Sequence, residues 1–192
     1  MSKMLRDIDI RQSLIEHLTT RFKSEYKLVE ELSISDKRAR ADVVVLAKSL
    51  FNYEIKSDVD SLSRFTTQMF FYDRVFERNF IVTTDKHLAK AIELLPSHWG
   101  LLSASPNRQG SVKIKTIKAA KMSPHWEPAT ALFTLWKSEL IDIYEELKLT
   151  GPTKSLSREQ LIEEISTSSK RGLKQSFKKA LTTRDFTSSL RK

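Results

Sequence analysis

One short pattern constrains this chain more than any other: Ala41-Asp42-Val43-Val44-Val45-Leu46, followed by Glu54-Ile55-Lys56. Side chains alternate along a strand with period 2, so Glu54 and Lys56 share one face and Ile55 takes the other. The Val43-Val44-Val45 run reads as a strand buried on both faces. A carboxylate at the edge of such a run, Asp42, is costly unless metal or hydrogen bonds satisfy it. If the two runs form an antiparallel hairpin, Asp42 lies opposite Glu54, and two carboxylates and one ammonium come within reach of a single point. Paired carboxylates suit Mg²⁺ or Mn²⁺. A lysine beside them orients an attacking water or stabilises charge on a phosphate. These are the parts of metal-dependent phosphodiester hydrolysis.

Downstream come Arg64 and the stretch Gln68-Met69-Phe70-Phe71-Tyr72. Gln68 and Tyr72 are four apart and share a face if the segment is helical. With these residues in place, the sequence resembles the PD-(D/E)XK nuclease superfamily. Asp42 matches its metal-binding aspartate, Glu54 its second acid and Lys56 its lysine. Ile55 fills the x position, whose backbone carbonyl often completes the metal shell there. Ala41 stands where the signature often has proline. The Gln68-x-x-x-Tyr72 helix is similar to that of the RecB-like branch, where it packs beside the active site and contacts nucleic acid.

The wider pattern resembles a small bacterial and phage family of PD-(D/E)XK-like proteins. It runs through Glu31-Leu32, Arg40-Ala41-Asp42, Tyr53 to Asp58, Asp60-x-Leu62-x-Arg64, Phe80-Ile81-Val82, His87, Pro96-x-x-Trp99-Gly100 and Leu135-Trp136-Lys137-x-Glu139-Leu140. The resemblance implies an α/β (α+β) restriction-endonuclease-like core: a mixed central sheet flanked by helices, with a C-terminal helical appendage. Residues 1–122 form the core in this reading and 123–192 a basic helical subdomain. In some superfamily members an acid on the first helix joins the metal site, a role that falls to Glu16 here. Glu16 also lies two residues off the apolar stripe, as a solvent-facing residue does. Glu31, where the resembling family also has an acid, is either near the metal, a partner of Lys56, or an exposed strand acid.

The 192 residues carry a net charge of +9, unevenly placed. Residues 1–107 hold 16 basic and 15 acidic residues, whereas 165–192 hold 8 and 1. That asymmetry points to a polyanion, DNA first with RNA not excluded, or to a solvated basic tail. There is no cysteine, hence no disulfide or thiolate zinc site. The histidines His17, His87, His98 and His125 show no tight metal-ligand spacing. No apolar run approaches the ~20 residues of a membrane span, and the N-terminus lacks a signal-peptide core. A cytoplasmic location without membrane contact follows as the simplest expectation.

Ile10, Leu14, Leu18 and Phe22 recur at spacing four and predict a helix over 7–23. Strands are predicted at 26–34, 41–47, 51–57 and 79–84, with a fifth beginning at Trp99. In the first, Leu28, Glu30, Leu32 and Ile34 share one face and Val29 and Glu31 the other. A helix over 60–78 would be capped by Asp58 or Asp60, and another spans 86–95. Ser105 to Gly110 reads as a turn. Ser111 to Ile117 alternates as an edge strand; its Lys113 and Lys115 line a nucleic-acid groove or protect the edge from aggregation. Beyond Pro128, a stripe of Leu132, Leu135, Leu140, Ile143 and Leu147 predicts one helix over 130–149. Ser157-x-x-Gln160 opens the next as a capping box. The last, about 170–182, carries Lys170, Lys174 and Lys178 as a basic stripe for phosphates.

The reading that results is a Mg²⁺- or Mn²⁺-dependent DNA nuclease. Asp42, Glu54 and the Ile55 carbonyl hold the metal, with Lys56 catalytic. Gln68, Tyr72, Arg64, Lys113, Lys115, Lys174 and Lys178 contact nucleic acid. The alternatives are a non-catalytic nuclease-fold adaptor and a partner-activated, toxin-like effector. The assembly is open between a homodimer and a larger DNA-processing complex.

Overall fold

The computed structural model describes residues 4–107, 111–168 and 171–186. Lys170 and residues 187–192 of the basic tail, and residues 108–110 of the turn expected at 105–110, lie outside the described residues.

A mixed sheet of six strands in sequential order is flanked by helices. Strands β1 (Lys27–Ile34), β2 (Ala39–Leu46) and β3 (Leu50–Lys56) run antiparallel, joined by short turns. Helix α2 (Phe65–Val75) crosses to β4 (Arg78–Thr83), and α3 (Asp85–Leu94) crosses to β5 (Gly100–Pro106). These two crossovers make β3, β4 and β5 parallel, because a parallel pair needs a long connection that a hairpin cannot supply. Strand β6 (Val112–Lys118) returns antiparallel to β5 at the edge. Helix α1 (Asp7–Arg21) packs on one face, where Ile10, Leu14 and Leu18 meet Val43, Val45, Tyr53 and Ile55.

The other face carries α2, α3 and the C-terminal helices α4 (Pro128–Leu132), α5 (Lys137–Glu146), α6 (Arg158–Thr167) and α7 (Leu173–Thr183). Val44, Leu50 and Ile81 share one apolar cluster there with Leu132, Leu140, Ile162 and Phe177. The basic C-terminal segment is therefore a packed layer on this face, its helices burying their apolar sides against one another, α2 and the sheet.

Several boundaries differ from expectation for local polar reasons. Helix α2 begins at Phe65 rather than 60, because the expected caps bond elsewhere. Asp58 accepts from Leu5 N at 2.7 Å and Thr84 Oγ1 at 2.7 Å, and Asp60 from Ser57 N at 2.8 Å. The helix expected over 130–149 is two, split at Phe133–Trp136, with Glu127 capping α4 through Ala129 N and Thr130 N. At α6 the Ser157–Gln160 capping box forms as read, with both reciprocal bonds present.

The alternation expected for β1 also fails. Val29, Leu32 and Ile34 share one cluster while Leu28 packs on the opposite side. The cause is Glu31, whose φ of 55° is left-handed in the middle of the strand. Strand β2 switches face at the same level: Ala39 and Ala41 join Val44 and Leu46, although Val43 faces α1.

Candidate functional site

The hairpin of β2 and β3 pairs Val43 with Tyr53, and one further step of that register sets Asp42 opposite Glu54. The main-chain ladder stops there. Asp42 Oδ2 instead accepts the Ile55 N–H at 2.7 Å, replacing a strand carbonyl. In an extended strand the N–H and C=O of one residue point to the same neighbour, so the Ile55 carbonyl is aimed at the edge Asp42 occupies. Burial pushes the Asp42 carboxyl well above the usual carboxylate range, and the negative charge of Glu54 adds to it; the Ile55 N–H and Arg11 oppose.

Glu54 is buried at 1% exposure and is the centre of the site. Its Oε1 accepts from Lys56 Nζ at 2.5 Å and from Gln68 Nε2 at 2.8 Å. Its Oε2 lies 2.7 Å from the Tyr72 hydroxyl. Gln68 Oε1 in turn accepts from Lys56 Nζ at 3.0 Å. The four-residue spacing of Gln68 and Tyr72 on α2 thus serves one carboxylate from one helix face. Burial and the Glu54 charge drive the Tyr72 phenol far above its ordinary pKa, so it stays a donor. Its second neighbour is the Arg40 carbonyl at 2.8 Å.

Beyond Lys56 the chain is pinned: Lys86 Nζ donates to Asp58 O at 2.5 Å and His87 Nε2 lies 3.1 Å from Ser57 O. Sheet register places Lys56, Thr83, Ser103 and Lys115 in one row on one face. Lys113 faces the same way opposite Ser105, and both edge lysines are exposed. Three strand spacings separate Lys115 from Lys56, roughly 14 Å.

The chain matches the family described as "Bacteriophage P4 protein cII" over residues 1–191. It belongs to that family. Protein cII of Enterobacteria phage P4 is 29% identical over 151 residues, which are 78% of this chain and 57% of that protein. The chain therefore spans little more than half the length of this relative. A solved protein of unknown function from Silicibacter pomeroyi is similar at 21% identity and TM-score 0.46, over 74% of this chain and 92% of that one.

The remaining expected residues of this cII-family chain fall elsewhere. Glu31 pairs with Arg11 Nη2 at 2.7 Å and Arg40 Nε at 2.6 Å, not with Lys56. Glu16 is exposed on α1, away from these contacts, and Arg64 is exposed at the start of α2. Lys178 turns inward, 3.1 Å from Glu77 and donating to Lys48 O at 2.5 Å; Lys174 lies 3.6 Å from the same Glu77. The short helix spacing that made a phosphate stripe instead aims both lysines at a buried acid in the loop before β4.

Arg11 escaped the sequence reading. It is buried at 8% exposure and donates to Asp42 O at 2.8 Å while holding Asp7 and Glu31. Its spacing from Asp7 predicts at most an exposed helix pair, and its burial carries no signal in the sequence because the other partners, Glu31 and Asp42, come from β1 and β2. No described helix is long and apolar enough to cross a membrane.

Proposed function

We propose that this chain is a metal-dependent nuclease hydrolysing DNA phosphodiester bonds, built on a PD-(D/E)XK-like core and acting in the cytoplasm in phage DNA processing. The observation that carries the reading is the convergence of Lys56, Gln68 and Tyr72 on the buried Glu54, with Asp42 fixed beside it by the Ile55 N–H. Mg²⁺ or Mn²⁺ fits the donor set: two carboxylates and a carbonyl are hard oxygen ligands, and Asp42 suffers from a negative neighbour that a cation would neutralise. Asp42, Glu54 and the Ile55 carbonyl would hold the ion. When bound, it would supply Lewis-acid activation of the phosphate and a more acidic water.

The chain's own residues do the rest. Glu54 and Gln68 hold the Lys56 ammonium on the site side of the sheet, where it orients the nucleophile or stabilises developing charge. Tyr72 keeps Glu54 from swinging out. Lys113 and Lys115, on the same face and free to meet solvent, contact flanking phosphates. Arg64 lies exposed at the mouth of α2 for the same purpose.

Purified wild type and Asp42→Ala, assayed on linear, circular, single-stranded and branched DNA and on RNA with Mg²⁺, Mn²⁺ or EDTA, test this. Metal-dependent cutting lost in the variant supports it; cutting that survives Asp42→Ala refutes the site.

A second reading, a nuclease-fold adaptor or partner-activated effector, is favoured by one observation. Both Glu54 oxygens are already engaged by Tyr72, Gln68 and Lys56. Those three donors take most of the carboxylate's acceptor sites, so an ion competes with them, and a partner or a second copy of the chain that displaced one would open the site. Salt-sensitive DNA binding with no Mg²⁺ or Mn²⁺ uptake in calorimetry would select this reading.

A further inference from the structure

We infer a second metal site, of the zinc class, formed by Asp73, His98 and His125 at the junction between α2 and the segment leading into the C-terminal helices. One ligand atom from each of the three lies within 4.8 Å of the others. Tetrahedral ligands at zinc's bond lengths stand roughly 3.4 Å apart, so the closure required is small and His125, the exposed member, supplies it. The donor set of two imidazoles and one carboxylate suits zinc, cobalt or nickel and distinguishes this site from the all-oxygen pair at Asp42 and Glu54.

The hydrogen bonding leaves Asp73 Oδ2 and the His125 ring open, and ligation through His98 Nε2 would exchange its bond to Asp73 for the ion. Asp73 Oδ1 accepts from Trp99 Nε1 at 2.8 Å and Asn79 Nδ2 at 3.1 Å, with His98 Nε2 at 2.9 Å. Among the described residues every hydrogen bond to this carboxylate falls on Oδ1, so Oδ2 keeps its lone pairs. A carboxylate held by outer donors in this way has a fixed orientation toward an ion. His98 is buried at 9% exposure, and its ring meets the His125 ring edge-on at 5.5 Å between centroids. No described hydrogen bond involves a ring nitrogen of His125. The site opens to solvent on the His125 side, which provides an entry path and room for a water as fourth ligand.

An ion here would staple three segments. Lys121 N donates to His98 O and Ser123 N to Glu77 O, each at 2.8 Å, and Glu127 N to Arg74 O at 3.0 Å. The 121–127 segment is thus already strapped to the loop before β5 and to the end of α2. A metal would lock that strap, and with it the helix that carries Gln68 and Tyr72.

Co²⁺ titration followed by its visible absorption, with Zn²⁺ competition, tests the site in the full chain. We expect one equivalent of Co²⁺, displaced by Zn²⁺ and retained in Asp42→Ala. His125→Ala, at an exposed position, should fold with an unchanged metal-free Tm and bind on the order of 100-fold more weakly. Absence of stoichiometric Co²⁺ binding, or binding unaffected by His125→Ala, overturns the inference. Loss of Co²⁺ in Asp42→Ala with retention in His125→Ala also overturns it, and assigns the ion to the first site.

Discussion

Replacing Tyr72 by phenylalanine removes one oxygen atom and leaves the ring packing in place against Phe76 and Trp99, at centroid distances of 6.2 and 6.4 Å. The lost hydroxyl stands 2.7 Å from Glu54 Oε2 and 2.8 Å from Arg40 O, and the residue is fully buried. It has one proton, and the carboxylate is the stronger acceptor. A hydrogen bond to a charged group contributes ~1.5–3 kcal/mol, and removing the donor leaves a buried acceptor unsatisfied. Lys56 and Gln68 still serve Oε1, so the carboxylate is not abandoned, and a loss of about 2 kcal/mol is expected. For a chain of this size that lowers Tm by roughly 4–8 °C. Urea unfolding read by tryptophan fluorescence, with Trp99 in contact with the altered ring, measures it. In a Glu54→Gln background the same change should cost less than about 1 kcal/mol, because the charged acceptor is gone. A cost below about 0.5 kcal/mol in the wild-type background, or equal costs in both backgrounds, would refute the claim that Tyr72 holds Glu54.

Three other outcomes follow from particular contacts. Burial, then the Glu54 charge, push Asp42 up to about 8, so the metal-free folded state binds this proton more tightly than the unfolded chain. Its effect is absent below ~4, the unfolded value, and stability declines as pH rises from there. The decline runs on to about 8 and should flatten in Asp42→Asn. Matched Tm-against-pH profiles check this, and parallel profiles would contradict it. Gly100→Ala places a methyl 2.2 Å from Phe80 Cδ1 and 2.9 Å from Ala120 N, so it should destabilise by at least ~2 kcal/mol in denaturant titrations; an unchanged midpoint would sink that packing argument. The lysines should separate by role. Lys113→Ala with Lys115→Ala should reduce the salt slope of DNA binding by up to ~1.8 while leaving Tm unchanged. Lys178→Ala should leave the slope alone and cost about 2 kcal/mol of stability through Glu77; the reverse pattern would place the phosphate contacts on α7.

How much was legible in the sequence depended on the range of the interaction concerned. Period-2 alternation put Glu54 and Lys56 on one face, and the four-residue step put Gln68 and Tyr72 on one side of α2, because both rules follow from local backbone geometry. The apolar stripe of α1 and the capping box of α6 were readable for the same reason, whereas the mixed sheet was expected from the family resemblance and not from local periodicity. Local propensity failed where a distant group competed for a side chain. Asp58 and Asp60 cap nothing because Leu5, Thr84 and Ser57 claim them first. Lys174 and Lys178 read as free cations until the fold sets Glu77 beneath them.

The left-handed Glu31 is a further case: in that conformation a side chain other than glycine is strained, and only surrounding contacts hold it. Arg11 and Arg40 supply those contacts from another helix and strand. Likewise His98 and His125 are 27 positions apart in the sequence and show no ligand spacing, yet the packing of α2 against two loops sets both beside Asp73. The sequence by itself determined which residues share a face of a strand or a helix, since that is a property of a few consecutive dihedral angles. Only the tertiary structure decided which charges meet, since a charge takes the partner that burial brings nearest rather than the one next along the chain.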